Sequence, residues 1–156
     1  MEVLKKYIAQ FGDIPFDYDN VVLEDKTYYL TSRNAKELSG KISEEFFSIG
    51  VPLATNNRSF QASISLLRLI APHTKNKLVL DSKAAHLFSC GRDIFVDSIK
   101  SIGNKEANLF IVCNEKDEVL GLAKKQKEKI AGKTKTVYKN LFDIGIMLRR
   151  EQKKKR

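Results

Sequence analysis

No stretch of this 156-residue sequence approaches the roughly 18 consecutive apolar residues that a membrane-spanning helix needs. Met1-Glu2-Val3-Leu4-Lys5-Lys6 brings an acid early and no apolar core, so no secretion signal is expected. Cytoplasmic residence with no membrane partner is the expectation. Cysteine is scarce. Cys90 and Cys113 are too few for a disulfide scaffold and lack CxxC spacing, which marks them as reduced thiols. Tryptophan is absent. Gly40, Gly50, Gly91, Gly103 and Gly121 stand singly. Neither GxGxxG nor GxxxxGKS/T occurs, which excludes phosphate loops of those kinds. Gly121, inside a strand pattern, instead marks a bulge or the close approach of another backbone.

Catalytic patterns are equally thin. His86 and Cys90 lie four apart on a predicted helix, but zinc needs about four ligands, and His73, Cys113 and the scattered acids supply no pattern. Cys90 sits beside Arg92, a cation that can favour a thiolate. It also sits at a helix C-terminus, where the dipole opposes one, so a buried structural thiol is the stronger reading. Asp13, Asp17, Asp19, Glu24, Asp25, Glu44 and Glu45 fall in turns and helix starts as solvated acids. The expectation is a protein that is not an enzyme, with no metal, cofactor or small-molecule substrate.

What the chain does have is a 42% hydrophobic content, enough for a real core in one domain or two small ones. Val3, Leu4, Tyr7, Ile8 and Phe11 predict a helix over 2–11. Residues 21–23 and 27–31 predict a strand hairpin turning at Glu24-Asp25-Lys26. Ser32 is a plausible N-cap for a helix over 33–41. Residues 46–54 read as a strand with an edge or bulge at Pro52, and Ser63 caps an apolar helix ending at Pro72. His73-Thr74-Lys75-Asn76 reads as a linker. Beyond it, residues 78–80 form a strand and Asp81 or Ser82 caps a helix over 83–88. Strands follow over 94–96, 98–102, 108–114, 119–123 and 136–142, a small, mostly antiparallel, barrel-like sheet. The fold class is α+β, with an N-terminal domain over 1–74 and a C-terminal one over 75–156.

Charge divides along the same boundary. Residues 1–75 hold nine basic and nine acidic side chains. Residues 123–156 hold 13 of the 28 Lys and Arg against three acids, a net of +10, while the whole chain carries +9. Such a tail points to a polyanion. Its first lysines, over 124–135, read as a mobile loop between strands. After Asp143, a fair N-cap, Ile144, Met147 and Leu148 fall at helical spacing and would anchor a short helix. Arg149, Arg150, Lys153 and Arg156 then share one face, a stripe suited to nucleic-acid phosphates. Tyr138 and Phe142 could stack on bases, although aromatics in strands more often build cores.

The second half resembles a PUA domain, a small RNA-binding β-barrel. The matching pieces are Lys77-Leu78-Val79-Leu80-Asp81, Ala84-Ala85-His86-Leu87-Phe88, Cys90-Gly91-Arg92-Asp93, Glu118-Val119-Leu120-Gly121-Leu122-Ala123 and Thr136-Val137-Tyr138-Lys139. The whole chain is similar to the Nip-seven ribosome-biogenesis proteins of archaea and eukaryotes, through four stretches. These are Tyr28-Tyr29-Leu30-Thr31-Ser32, Leu69-Ile70-Ala71-Pro72, Leu87-Phe88-Ser89-Cys90-Gly91, and Phe142-Asp143-Ile144-Gly145 with Leu148-Arg149-Arg150-Glu151. The short N-terminus fits archaeal members better.

That resemblance implies a pre-PUA α/β domain packed on a PUA barrel. It implies a non-catalytic factor in large-subunit assembly and pre-rRNA processing that binds U-rich single strands. The RNA-binding residues it implies are Arg149, Arg150, Lys153 and Arg156, with Gly91, Arg92 and Lys139 along a groove between the helix and the closing strand. Gly91 would let a nucleotide backbone approach. Replacing Arg149 and Arg150 is then expected to weaken RNA binding and leave stability nearly unchanged. The neutral N-terminal domain, with Tyr28, Tyr29, Phe46 and Phe47, would dock assembly proteins, although those aromatics more readily serve as its core. An RNA-modification enzyme or its accessory subunit, and a sequence-neutral basic nucleic-acid-binding protein, are the alternatives.

Overall fold

A computed structural model describes residues 1–41, 49–146 and 149. The N-terminal apolar spacing produces α1 (Glu2–Ala9), which buries Leu4 and Ile8. β1 (Val21–Glu24) and β2 (Thr27–Leu30) pair antiparallel. Asp25 and Lys26 turn between them at φ 38° and 64°, the left-handed geometry that suits a two-residue hairpin. The Ser32 hydroxyl accepts the Ala35 N–H and starts α2 (Arg33–Ser39). The Ser63 hydroxyl accepts the Leu66 N–H and starts α3 (Ile64–Ile70). Both are the N-caps their residue types favour.

β3 (Val51–Asn56) and β4 (Phe60–Ala62) complete a four-stranded sheet in the order β1-β2-β3-β4. β3 is an inner strand by sheet order, but β4 pairs only with Ala54, Thr55 and Asn56, so Pro52 lies on a stretch of β3 that is open on that side, as an edge is. The β2–β3 register slips between Tyr28 and Tyr29, whose partners are Ala54 and Pro52; a bulge is the other setting a strand gives proline. Tyr28 is buried in the core and Tyr29 is half-buried. Phe46 and Phe47 lie outside the described residues.

The chain then crosses to a six-stranded sheet. Its strands are β5 (Lys77–Leu80), β6 (Ile94–Phe95), β7 (Ile99–Ile102), β8 (Leu109–Cys113), β9 (Val119–Ile130) and β10 (Lys133–Asp143), in the order β6-β10-β9-β8-β5-β7. Only the β5–β8 pair is parallel. α4 (Ser82–Ser89) begins where the Asp81 carboxylate accepts the Ala84 N–H.

β8 explains how the halves join. Phe110 and Val112 pack with Leu78, Leu80, Phe88 and Tyr138 on one face of the sheet. Leu109, Ile111 and Cys113 face the other way and pack with Leu4, Ile8, Phe11, Leu66 and Ile70 of the N-terminal half. A strand covered on both faces needs an unbroken apolar run, and Leu-Phe-Ile-Val-Cys is one. The two sheets therefore share a continuous core.

The stretch expected to be a linker is built into that junction. Thr74 and Asn76 are buried. The Thr74 hydroxyl donates to the Phe11 carbonyl at 2.6 Å and accepts the Asn76 N–H at 3.0 Å. The Asn76 amide donates to the Gln10 carbonyl at 3.0 Å and accepts from Asn104 at 2.9 Å. Pro72 and polar residues signalled a chain break, but the polar groups are spent satisfying the Gln10 and Phe11 carbonyls just past the end of α1. Thr74→Val keeps the shape and removes the hydroxyl. It is expected to cost about 1–2 kcal/mol, read as a lower urea midpoint at unchanged m-value.

The lysine-rich stretch is the larger departure. It is not a loop between strands: β9 runs to Ile130, and β10 returns from Lys133 in unbroken antiparallel register as far as Asn140. Ala131 and Gly132, at φ 50° and 76°, make the two-residue turn. At the other end of the hairpin the register slips between Asn140 and Phe142. There a Cβ on Gly121 would overlap the Phe142 carbonyl oxygen, which is the close backbone approach that an isolated strand glycine signals.

Candidate nucleic-acid interface

Opposed residues of an antiparallel pair share a face, so the register sorts the hairpin lysines. Lys125, Lys127 and Lys129 lie on one face with Thr134 and Thr136. Lys124, Lys133, Lys135 and Lys139 lie on the other with Glu128. Residues two apart step about 7 Å along a strand, so each face presents a row of cations. Lys139 is not free within its row. It lies 2.8 Å from both the Asp93 and the Glu128 carboxylates, which raise its pKa. Lys125 donates to the Lys105 carbonyl at 2.7 Å. Lys124, Lys127, Lys129, Lys133 and Lys135 are exposed and have no carboxylate partner among the described residues.

A second cluster ties the end of α4 to β10. Asn140 donates from its side chain to the Phe88 carbonyl at 2.8 Å, and its N–H donates to Asp93 at 2.9 Å. Burial by itself would raise the Asp93 carboxyl. The hydrogen bonds from Lys139 and Asn140 outweigh it and hold the carboxyl below the usual carboxylate range. A depressed folded pKa contributes stability that is present above the unfolded value, near pH 4, and is lost as pH falls through the folded value. Asp93→Asn is therefore expected to flatten the fall in melting temperature between about pH 5 and about pH 3.

Asp143 and Arg149 form the third cluster. The Asp143 carboxylate is buried. It accepts the Gly145 N–H at 2.9 Å and both terminal nitrogens of Arg149, at 2.9 and 2.7 Å. Arg149 also donates to the Ser89 carbonyl at 2.6 Å. Gly91, at φ 88°, leaves room for that guanidinium, whose Cζ would stand 3.2 Å from a Cβ there. The space expected to admit a nucleotide backbone at Gly91 is thus bordered by Arg149.

Of the RNA-binding residues that sequence reasoning singled out, the structure brings Gly91 and Arg149 together, with Arg92 exposed beside them. Lys139 is joined to the same stretch through Asp93, the residue after Arg92, and is held between Asp93 and Glu128. Arg150, Lys153 and Arg156 lie outside the described residues, as do Met147 and Leu148. Ile144 is 44% exposed rather than an anchor. The turn is instead secured by the Asp143–Arg149 pair and by the Ile144 N–H, which donates to the Leu120 carbonyl at 2.9 Å.

Tyr138 is a core residue, edge-on to Phe110 at 5.4 Å. Cys90 is exposed, contrary to the buried thiol expected, with its Sγ 3.8 Å from His86 Nε2. Cys113 is the buried thiol, pushed up to about 11 by desolvation. Among the described residues no three His, Cys, Asp or Glu side chains gather as a metal site would require.

Residues 76–152 match the UPF0113 PUA domain. The C-terminal half is a PUA domain. A UPF0113 protein of Archaeoglobus fulgidus is 24% identical over 161 residues, covering 97% of this chain and 91% of that protein. The solved structure described as a conserved PUA domain protein from Thermoplasma acidophilum has the same fold. Its TM-score is 0.55 at 14% identity, covering 96% of this chain and 94% of that one. PUA domains are in general RNA-binding. In this PUA domain the unpaired cations among the described residues concentrate on the β9–β10 hairpin, whereas the α4–β10 groove is crossed by its own hydrogen bonds. Sequence reading missed the hairpin as a structured surface. Gly132, followed by Thr134, Thr136 and Val137, was the signal that could have shown it.

Proposed function

We propose that this protein is a non-catalytic RNA-binding factor of large ribosomal subunit biogenesis and pre-rRNA processing, taking U-rich single strands on its PUA domain. The observation that carries the RNA reading is the two rows of exposed lysines, without carboxylate partners among the described residues, that the paired β9–β10 ribbon of that domain presents on its two faces. A phosphate backbone is the polyanion that such a row suits, and counterion release supplies the binding energy. The ribosomal assignment rests on the four stretches shared with Nip-seven proteins. In this reading the N-terminal half, neutral and joined to the PUA sheet by a common core, meets other assembly proteins.

Competition among U-rich RNA, A-rich RNA and duplex DNA across a salt series tests the RNA part. Preference for the U-rich strand is expected, and equal affinity for all three would sink it. Crosslinking in the cell, with sequencing of the bound RNA, tests the ribosomal part, with reads expected to concentrate on large-subunit precursor rRNA.

A further inference from the structure

The β9–β10 hairpin outruns the sheet that roots it. β8 pairs with β9 only as far as Lys124, with one more bond from the Lys125 N–H to the Asn108 carbonyl. β6 pairs with β10 only at Val137 and Tyr138. Residues 126–136 therefore project as a two-stranded ribbon whose outer edges pair with no described strand. The run from Gln126 to Ile130 is about 14 Å long.

An antiparallel sheet commonly packs one face on a core and leaves the other to water. No residue of this ribbon belongs to either hydrophobic cluster. Both faces carry charge instead. Lys127 and Lys129 of β9 are exposed on one face, and Lys133 and Lys135 of β10 on the other, where Lys124 continues the row at the root. Glu128, the only acid over 126–136, is held by Lys139. Edge lysines also discourage edge-to-edge pairing, but a single charge on each strand would serve that end. Here each strand carries two beyond the sheet, aligned on one face, and the strands use opposite faces.

Distances decide what such a ribbon can hold. A sheet with its side chains is about 10 Å thick, and the screening length at physiological salt is about 8 Å. A phosphate backbone against one row is thus largely screened from the other. Filling one face leaves the attraction of the second nearly whole, so a second backbone can follow the first. A protein partner ordinarily adds an apolar core to its contact, and over 126–136 the ribbon offers only Ile130 and Ala131. A phosphate backbone needs no such core.

We propose that the projecting ribbon holds two RNA backbone segments at once, one on each face, and so bridges them. The proposal rests on the RNA-binding reading above and extends it from one strand to two. Two variants divide the faces: Lys127→Gln with Lys129→Gln, and Lys124→Gln with Lys133→Gln and Lys135→Gln. Donor-labelled and acceptor-labelled oligouridines, which cannot pair with each other, are mixed with each protein at low salt. Energy transfer reports bridging, and anisotropy of one labelled strand reports binding. Melting temperatures show that the variants are folded, and polyglutamate is titrated as a competitor.

The expected result is energy transfer with the wild type that rises and then falls as protein is added in excess. Either face variant should abolish the transfer yet bind a single strand within about twofold of wild type, since one of two alternative faces remains. The variant with all five lysines replaced should lose roughly 10–10²-fold in binding. Binding without transfer in the wild type overturns the bridge while RNA binding stands. Transfer that survives in either face variant, or binding that depends on one face alone, overturns it equally. Polyglutamate competing as tightly as oligouridine overturns RNA as the partner of the ribbon in favour of an acidic protein. Absence of any RNA binding overturns both readings together.

Discussion

Arg149→Ala is expected to lower the stability of the protein by about 2 kcal/mol, a fall in melting temperature of about 4–8 °C for a chain of this size. The substitution leaves the Asp143 carboxylate, 2% exposed, with one backbone N–H in place of three donors. Removing one partner of a fully buried pair costs about 3–5 kcal/mol. A third of the Arg149 side chain is in solvent, which screens the pair and reduces the figure. Arg149→Lys should recover little, because an ammonium cannot hold both carboxylate oxygens and the Ser89 carbonyl in the geometry of the guanidinium fork. The double variant Arg149→Met with Asp143→Asn should be more stable than the sum of the single changes implies. This replaces the expectation from sequence, in which Arg149 was a solvent-facing phosphate contact whose loss left stability nearly unchanged. A melting temperature within about one degree of wild type would restore that earlier view. Loss of RNA binding by Arg149→Ala says something about RNA only when measured where the variant is shown to be folded.

Replacing Lys124, Lys127, Lys129, Lys133 and Lys135 together by Gln is expected to do the opposite. All five are exposed, and the hairpin that carries them is held by backbone pairing, so stability should change little. Lys127 and Lys129 lie on one face and Lys124, Lys133 and Lys135 on the other, so for a single strand that follows one face the slope of log affinity against log salt flattens by up to about 2 units, and affinity near 0.1 M salt falls by roughly 10–10²-fold. A slope altered by less than about one unit would show that the hairpin is not the electrostatic footprint. Taken with Arg149→Ala, the experiment separates a residue that builds the PUA domain from residues that present charge on it.

Some of this was legible because it is local. Ser32, Ser63 and Asp81 announce helix starts, since a short side-chain oxygen accepts the orphan N–H two or three residues on, wherever the helix later docks. The run from Leu109 to Cys113 announces a strand buried on both faces. Gly121 announces a neighbouring backbone, and the neighbour is Phe142. The β9–β10 hairpin was not legible in the same way. Lysine has low strand propensity, and outward-facing lysines erase the apolar alternation by which strands are recognised. That ribbon exists because each strand finds the other in register.

The amino-acid sequence alone determined the caps, the strand runs and the basic surplus after residue 122, which follow from local backbone preference and composition, and it carried the resemblance to a PUA domain. Tertiary structure decided which polar groups are available to a ligand. Thr74 and Asn76 read as linker residues until Phe11 and Gln10 stand against them. Arg149 reads as a free cation until Asp143 is buried beneath it, and Lys139 until Asp93 and Glu128 flank it. The physical reason is that a charge is free or spent according to what lies within a few ångströms of it, and most of these partners are distant in the chain.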